Sequence, residues 1–133
     1  MPAVAAPANG GSRVLVVDDN NDALVTLDLL LKRHGHQVLA ASDGRTALTA
    51  ARDFRPDVVL LDIGLPDISG YEVARALRSE PWASELRLIA ITGWGQQDDR
   101  DKAREAGFDH HLVKPVDPKA LMALLARVAS EPS

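Results

Sequence analysis

A run of four large apolar residues, 58–61, leads directly into the carboxylate of Asp62. Apolar runs without polar alternation are typical of a strand buried on both faces, as in a parallel sheet covered by helices. If residues 56–62 form such a strand, Asp62 stands at its carboxyl end, where open α/β sheets bind their ligands. An Asp that only caps the following turn is the alternative. The run therefore predicts an α/β fold and makes Asp62 a candidate functional residue.

The rest of the chain alternates short apolar segments with segments whose apolar residues recur at helical spacing. The predicted strands are residues 13–17, 37–41, 56–62, 86–91 and 110–113. The predicted helices are residues 21–34, a helix capped by Asp43, a helix after Gly70 that ends at Pro81, residues 96–106, and a last helix that begins at Asp117 and Pro118. Five βα repeats of this kind predict a doubly wound, five-stranded parallel sheet with right-handed crossovers.

The 133 residues are enough for a single domain with a core and too few for two domains of ordinary size. We expect residues 1–12, rich in Ala, Pro and Gly, to be a flexible linker or tail, residues 13–130 the domain, and residues 131–133 a C-terminal tail. The net charge of -4 disfavours direct binding to nucleic acid, and no apolar run is long enough for a membrane span. The lack of cysteine excludes a disulfide framework and a thiolate metal site, which suits the cytoplasm.

Polar residues with complementary chemistry follow four of the predicted strands. They are Asp18, Asp19, Asp62, Thr92 and Lys114. Because parallel strands share one carboxyl edge, these residues are expected to be neighbours. The three carboxylates repel one another and invite a hard cation such as Mg²⁺, while the lysine balances part of the remaining charge. A carboxylate, a hydroxyl and an ammonium beside a divalent ion are the groups needed to accept a phosphoryl group and hold its oxygens.

This ordered set, with Pro115 directly after Lys114, resembles the receiver domain of two-component response regulators, over residues 13–130. The resemblance implies a flavodoxin-like fold and a domain that catalyses its own phosphorylation and dephosphorylation. It implies that Asp62 is the phosphoacceptor and that Asp19 and Asp62 bind magnesium directly. Asp18 would act through a bound water, and the main-chain carbonyl of Gly64 would complete the protein ligands.

The same resemblance assigns the remaining site residues. Thr92 and Lys114 would each bond a phosphoryl oxygen, and Lys114–Pro115 looks like the family's cis peptide. Thr92 also belongs to the family's switch, whose second position, usually Tyr or Phe, is His111 here. Gly64 and Trp94, which flank the site, carry no side-chain acceptor that could orient an attacking water. We therefore expect slow spontaneous loss of the phosphoryl group.

Three stretches look most like receiver domains of hybrid sensor histidine kinases: residues 64–71 (GLPDISGY), 92–96 (TGWGQ) and 106–115 (AGFDHHLVKP). The implied partner is a sensor histidine kinase or a histidine phosphotransfer domain, and the domain is expected to form a phosphorylation-dependent dimer. A stand-alone response regulator is the alternative.

Two other classes of protein fit the sequence less well. A magnesium-dependent phosphohydrolase of the haloacid dehalogenase type needs a second Asp two residues after Asp62, where Gly64 stands. A nucleotide-binding module needs a glycine-rich turn after the first strand, where Asp18 and Asp19 would instead repel a pyrophosphate.

Overall fold

Strands and helices alternate along the whole described chain, which comprises residues 12–93 and 100–130 of the computed structural model. The elements are β1 (Arg13–Val17), α1 (Asn21–Arg33), β2 (Gln37–Ala41), α2 (Gly44–Phe54), β3 (Val58–Asp62), α3 (Gly70–Arg78), β4 (Arg87–Thr92), α4 (Arg100–Ala106), β5 (His110–Val113) and α5 (Pro118–Ser130). A short 3₁₀ turn, Pro81–Ala83, separates α3 from β4. Residues 1–11 of the predicted N-terminal tail (1–12) and the predicted tail 131–133 lie outside the described residues, while Ser12 accepts a hydrogen bond from the N–H of Gln37 at the start of β2.

The five strands form one parallel sheet in the order β2-β1-β3-β4-β5. This is the strand order of the flavodoxin-like fold, in which the order reverses beside the first strand. The predicted fold class is therefore confirmed. All five residues of β3 are buried, because the strand lies at the centre of the sheet with helices on both faces.

The side chains of the central strands alternate between two separate apolar cores. Leu61 faces the core built with α2 and α3, whereas Leu60 faces the core built with α1 and α5. Apolar residues that recur at helical spacing on four of the helices line these cores. They are Leu24, Leu27 and Leu31 of α1, Ala47 and Ala51 of α2, Val73, Ala74 and Leu77 of α3, and Leu121, Leu124, Leu125 and Val128 of α5. No helix in the described ranges is both long enough and apolar enough to cross a membrane.

Side-chain caps determine where three of the helices begin. Asn20 accepts a hydrogen bond from the N–H of Ala23, Asp43 from that of Thr46, and Ser69 from that of Glu72. The cap predicted at Asp43 is confirmed.

Four boundaries differ from the predicted ones, among them the end of α3, which is Arg78 and not Pro81, since Pro81 begins the 3₁₀ turn. α1 ends at Arg33, one residue early, with His34 as its C-cap. β3 begins at Val58 instead of residue 56. Pro56 has no N–H to donate, so hydrogen bonding to β1 starts only with the N–H of Asp57, which donates to the carbonyl of Arg13. β4 runs from Arg87 to Thr92 instead of 86–91, because the N–H of Leu86 is bound to Ala83 in the preceding turn. The predicted start of α4, at 96, lies outside the described residues.

Candidate functional site

The polar residues predicted to converge lie at the carboxyl edge of the sheet. Asp18 directly follows β1, Asp62 and Thr92 are the last residues of β3 and β4, and Lys114 directly follows β5. The two aspartates and the threonine are buried, with 1%, 5% and 8% of their surface exposed. Polar side chains that are this well buried require hydrogen-bond or ion-pair partners, and Asp18 and Asp62 share one such partner.

Lys114 joins the two buried aspartates. Its Nζ lies 3.0 Å from Oδ2 of Asp62 and 3.0 Å from Oδ2 of Asp18. Asp19 is exposed beside them, and one carboxylate oxygen from each aspartate lies within 4.8 Å of the other two. A single ammonium cannot neutralise three carboxylates, so the site keeps an excess of negative charge.

Main-chain N–H groups orient the second oxygen of each buried carboxylate. Asp62 Oδ1 accepts a hydrogen bond from the N–H of Gly64 at 2.8 Å, and Asp18 Oδ1 accepts one from the N–H of Asn20 at 2.9 Å. Asp18 Oδ2 is buried and has no hydrogen-bond partner in the described part of the chain besides its ion pair with Lys114. Each carboxylate is therefore held from one side and presents its Oδ2 to the shared cleft.

Burial and charge shift the pKa values of two of these groups. Burial raises the pKa of Asp18 above 3.8, outweighing the hydrogen bond from Asn20 and the ammonium of Lys114. Burial alone would lower the pKa of Lys114, but the hydrogen bond with Asp62, the ion pair with Asp18 and the negative charges of both raise it above 10.5. Lys114 therefore stays charged at neutral pH.

The donor set fits a hard divalent cation. Asp18, Asp19 and Asp62 offer only oxygen atoms, which is the ligand set of Mg²⁺ and Ca²⁺. A buried Asp18 Oδ2 without a hydrogen bond is an additional acceptor that such an ion could use. The exposed Asp19 leaves the cluster open to solvent, so an ion can enter without unfolding.

Comparison with known proteins decides the family. The family profile described as the response regulator receiver domain matches residues 14–126. The chain belongs to the receiver domain family. It is therefore a domain of two-component signalling.

Similar receiver domains occur in proteins of different kinds. PilH of Pseudomonas aeruginosa is 35% identical over 117 residues, covering 88% of this chain and 97% of PilH. The transcriptional regulatory protein PrrA of Mycobacterium tuberculosis is 40% identical over 116 residues, covering 87% of this chain and 48% of PrrA, so this chain spans about half of that relative. The crystal structure of the receiver domain of sensor histidine kinase PA1611 from P. aeruginosa is 30% identical with a TM-score of 0.82, over 91% of this chain and 99% of that one. That structure has a magnesium ion coordinated in its active site cleft.

Thr92 and His111, also predicted to act in the receiver site, lie on the neighbouring strands β4 and β5. The hydroxyl of Thr92 donates to the carbonyl of Leu112 at 3.4 Å, and His111 lies on β5 opposite Ala90. Thr92 and His111 line one cleft between β4, β5, α4 and α5. Their roles as phosphoryl ligand and switch stay predictions.

The structure tests only some of the predictions made for the positions that flank the receiver site. The Lys114–Pro115 peptide bond is cis. Gly64 directs its N–H to Asp62, while the expected role of its carbonyl as a metal ligand stays a prediction. Trp94 lies outside the described residues, so its expected role at the site stays a prediction.

The sequence did not reveal Asp67, which lies in the loop between β3 and α3. Its carboxylate accepts hydrogen bonds from the N–H groups of Gly44 and Arg45, the first two residues of α2. The hydrogen bond from Gly44, with that from Arg45, lowers the pKa of Asp67 from 3.8 to about 2. The only signal in the sequence was an acidic residue in the loop that follows the site strand, and such residues are common in turns.

Proposed function

We propose that this receiver domain accepts a phosphoryl group on Asp62 from a phosphohistidine of a sensor kinase or a histidine phosphotransfer domain. The observation that carries the proposal is the position of Asp62. Its buried carboxylate ends the central strand, lies 3.0 Å from the ammonium of Lys114, and belongs to an acidic cluster of oxygen ligands.

The transfer needs few chemical steps from the protein. An oxygen of Asp62 attacks phosphorus, the bond from phosphorus to the imidazole nitrogen breaks, and the electron pair remains with the imidazole. Lys114 keeps its positive charge and stabilises the phosphoryl oxygens, while the hydroxyl of Thr92 turns from Leu112 to donate to one of them. A magnesium ion held by Asp18, Asp19, Asp62 and the carbonyl of Gly64 would supply further positive charge to the same oxygens.

The test is incubation with acetyl phosphate and magnesium, followed by intact mass and peptide mapping. We expect the mass to rise by one phosphoryl group, located on the peptide that contains Asp62. Asp62→Asn removes the nucleophilic oxygen and should abolish the label. Asp57→Asn is the matched control, because Asp57 lies beside the opposite end of β3, where its carboxylate accepts from the N–H of Arg13.

Two results would contradict this assignment. One is a wild-type domain that takes no label, and the other is an Asp62→Asn variant that still carries the label on the same peptide. Steady release of phosphate from a phosphomonoester would instead support the phosphohydrolase alternative.

We propose the receiver part of a hybrid sensor histidine kinase as the context, with the cytoplasm as its location. The similarity to the receiver domain of the kinase PA1611 supports this context. The match to PilH, which covers 97% of the length of PilH, supports the alternative of a stand-alone receiver domain. An immunoblot of the native protein distinguishes them, because a stand-alone domain runs near 14.3 kDa and a hybrid kinase runs far above it. Size-exclusion chromatography before and after labelling tests the phosphorylation-dependent dimer.

A further inference from the structure

Asp67 links the loop after the site strand to a neighbouring helix. Its Oδ1 accepts a hydrogen bond from the N–H of Gly44 at 2.9 Å, and its Oδ2 accepts one from the N–H of Arg45 at 3.0 Å. Both oxygens are used, so the carboxylate is fixed in position and in orientation. The partners lie more than twenty residues away along the chain, which makes this contact a tertiary link between the β3–α3 loop and α2.

The helix already has a cap of its own. Asp43 accepts from the N–H of Thr46 at 2.7 Å, as an ordinary N-cap does, and its carbonyl accepts from Ala47. Asp43 thus serves two of the first four N–H groups of α2 and Asp67 serves the other two, but only Asp67 also attaches the loop.

The loop is also packed tightly against the helix and closed on itself. A Cβ on Gly44 would lie only 2.5 Å from Cγ1 of Ile68, so the loop residue occupies the space that a side chain at position 44 would need. The N–H of Gly70 donates to the carbonyl of Ile63 at 3.1 Å and closes the base of the loop. The pKa of Asp67, at about 2, means that its carboxylate is charged throughout the pH range in which such a domain operates.

The same loop contains the group that orients the proposed phosphoacceptor. Gly64 donates its N–H to Asp62 Oδ1 at 2.8 Å, and Gly64 lies three residues before Asp67. Fixing Asp67 on α2 therefore limits the movement of Gly64 relative to the carboxylate of Asp62.

We propose that Asp67 is a positioning residue for phosphoryl transfer: by tying the β3–α3 loop to α2, it holds Gly64 in place beside Asp62. The inference rests on the proposed function and extends it to a residue that touches neither the phosphoryl group nor the cation. It gives α2 a part in the site, because the helix is the rigid body to which the loop is attached.

The experiment compares Asp67→Ala and Asp67→Asn with Asp43→Ala, which removes a carboxylate from the same helix end without detaching the loop. Three quantities are measured for each variant and for the wild-type domain. They are the hydrogen-exchange rate of the Gly64 N–H without metal, the affinity for Mg²⁺ by calorimetry, and the rate of labelling by acetyl phosphate at limiting magnesium. Urea unfolding reports the stability of each variant, so that loss of fold is separated from loss of position.

We expect Asp67→Ala to speed hydrogen exchange of the Gly64 N–H. We also expect it to weaken magnesium binding about tenfold, which is the lower end of the loss seen when a group that orients metal ligands is removed. Labelling should slow in the same variant. Asp67→Asn keeps one acceptor oxygen and should fall between Asp67→Ala and the wild type, which also serves if the alanine variant does not fold. Asp43→Ala should leave exchange at Gly64 and the magnesium affinity unchanged.

The outcomes separate this inference from the function on which it rests. If the wild-type domain binds magnesium and takes the label while the Asp67 and Asp43 variants behave alike, Asp67 is only a second helix cap and the inference fails. If the wild-type domain takes no label, the proposed function fails and the positioning role fails with it.

Discussion

At the scale of single residues, the ammonium of Lys114 lies between two buried carboxylates, 3.0 Å from Asp62 and 3.0 Å from Asp18. In Lys114→Met the two acidic groups lose their shared positive partner while they remain buried. We expect a loss of about 1–3 kcal/mol in the free energy of unfolding at pH 7, below the full cost of a broken buried pair because Lys114 is partly exposed. The difference from the wild type should shrink on acidification, since burial raises the pKa of Asp18 and its protonated carboxyl carries no charge to repel its neighbour.

Urea unfolding at pH 7 and at pH 4 measures this effect. The control is Lys32→Met, which removes an exposed ion pair with Asp28 one turn away on α1 and should cost less than about 0.5 kcal/mol. A Lys114→Met variant that loses no more stability than the control would show that the buried charges are balanced in some other way.

At the scale of elements, Arg78 joins the C-terminal end of α3 to the parts of the chain on either side of β4. The guanidinium donates to the carbonyls of Gly107, Leu86 and Ala83 and pairs with the carboxylate of Asp109. It therefore holds the segment that leads into β4 and the turn between α4 and β5 against the same helix.

Substitution of Arg78 by Met should destabilise the domain by about 2–4 kcal/mol, because carbonyls and one carboxylate lose donors in a partly buried region. Chemical denaturation provides the measurement. Arg52→Met is the comparison, since the side chain of Arg52 is two-thirds exposed and forms a 3.5 Å ion pair with Glu80. Equal stability of the two variants would mean that water replaces the hydrogen bonds of Arg78.

Helices, strands and their caps could be predicted from the sequence, whereas the side-chain contacts between distant elements could not. The apolar run 58–61 favoured a buried strand, and the helical pattern after Asp43 favoured a cap at that residue; the structure contains both. The convergence of Asp18, Asp62 and Lys114 followed from the parallel order of the strands. Local pattern decided each of these features.

The contacts of Asp67 and Arg78 had no such local signal. Asp67 binds residues 22 and 23 positions away, and Arg78 binds Gly107, which is 29 positions away. An Asp in a turn or an Arg in the last turn of a helix is common in any protein, so only the packed arrangement of helices and loops shows which ones connect distant elements. For the same reason, the first residue of β4 depended on the turn that Ala83 and Leu86 form before it.

At the scale of the whole molecule, His36 ties the start of β2 to the residue before β1. The N–H of Ser12 donates to Nδ1 of His36 at 3.0 Å, which requires that nitrogen to be unprotonated. Burial, followed by the charge of His34, lowers the pKa of His36 below 6.5. The folded domain therefore takes up this proton less readily than the unfolded chain does. Its contribution to stability is complete above pH 6.5 and is lost as the pH falls through the lower folded-state pKa.

We expect the free energy of unfolding of the wild-type domain to decrease between pH 7.5 and pH 5, and to decrease less in His36→Asn. The asparagine oxygen can accept from Ser12 and does not titrate. His34→Asn is the comparison: it removes the charge that adds to the shift but keeps the buried imidazole of His36, so it should reduce the acid dependence less than His36→Asn does. A His36→Asn variant with the same acid dependence as the wild type would assign the effect to other groups.

The ion pairs of Lys114 join a residue after the first strand and a residue at the centre of the sheet to a residue after the last strand. A ribosome-bound chain that has passed Asp62 but not Lys114 carries the proposed nucleophile without its counter-charge. Because a domain of this kind folds as a unit, the pocket forms only after the last strand has been synthesised and added to the sheet. Under the proposed function, a protein that lacks the last strand would not accept the phosphoryl group, and only fully synthesised molecules would be phosphorylated.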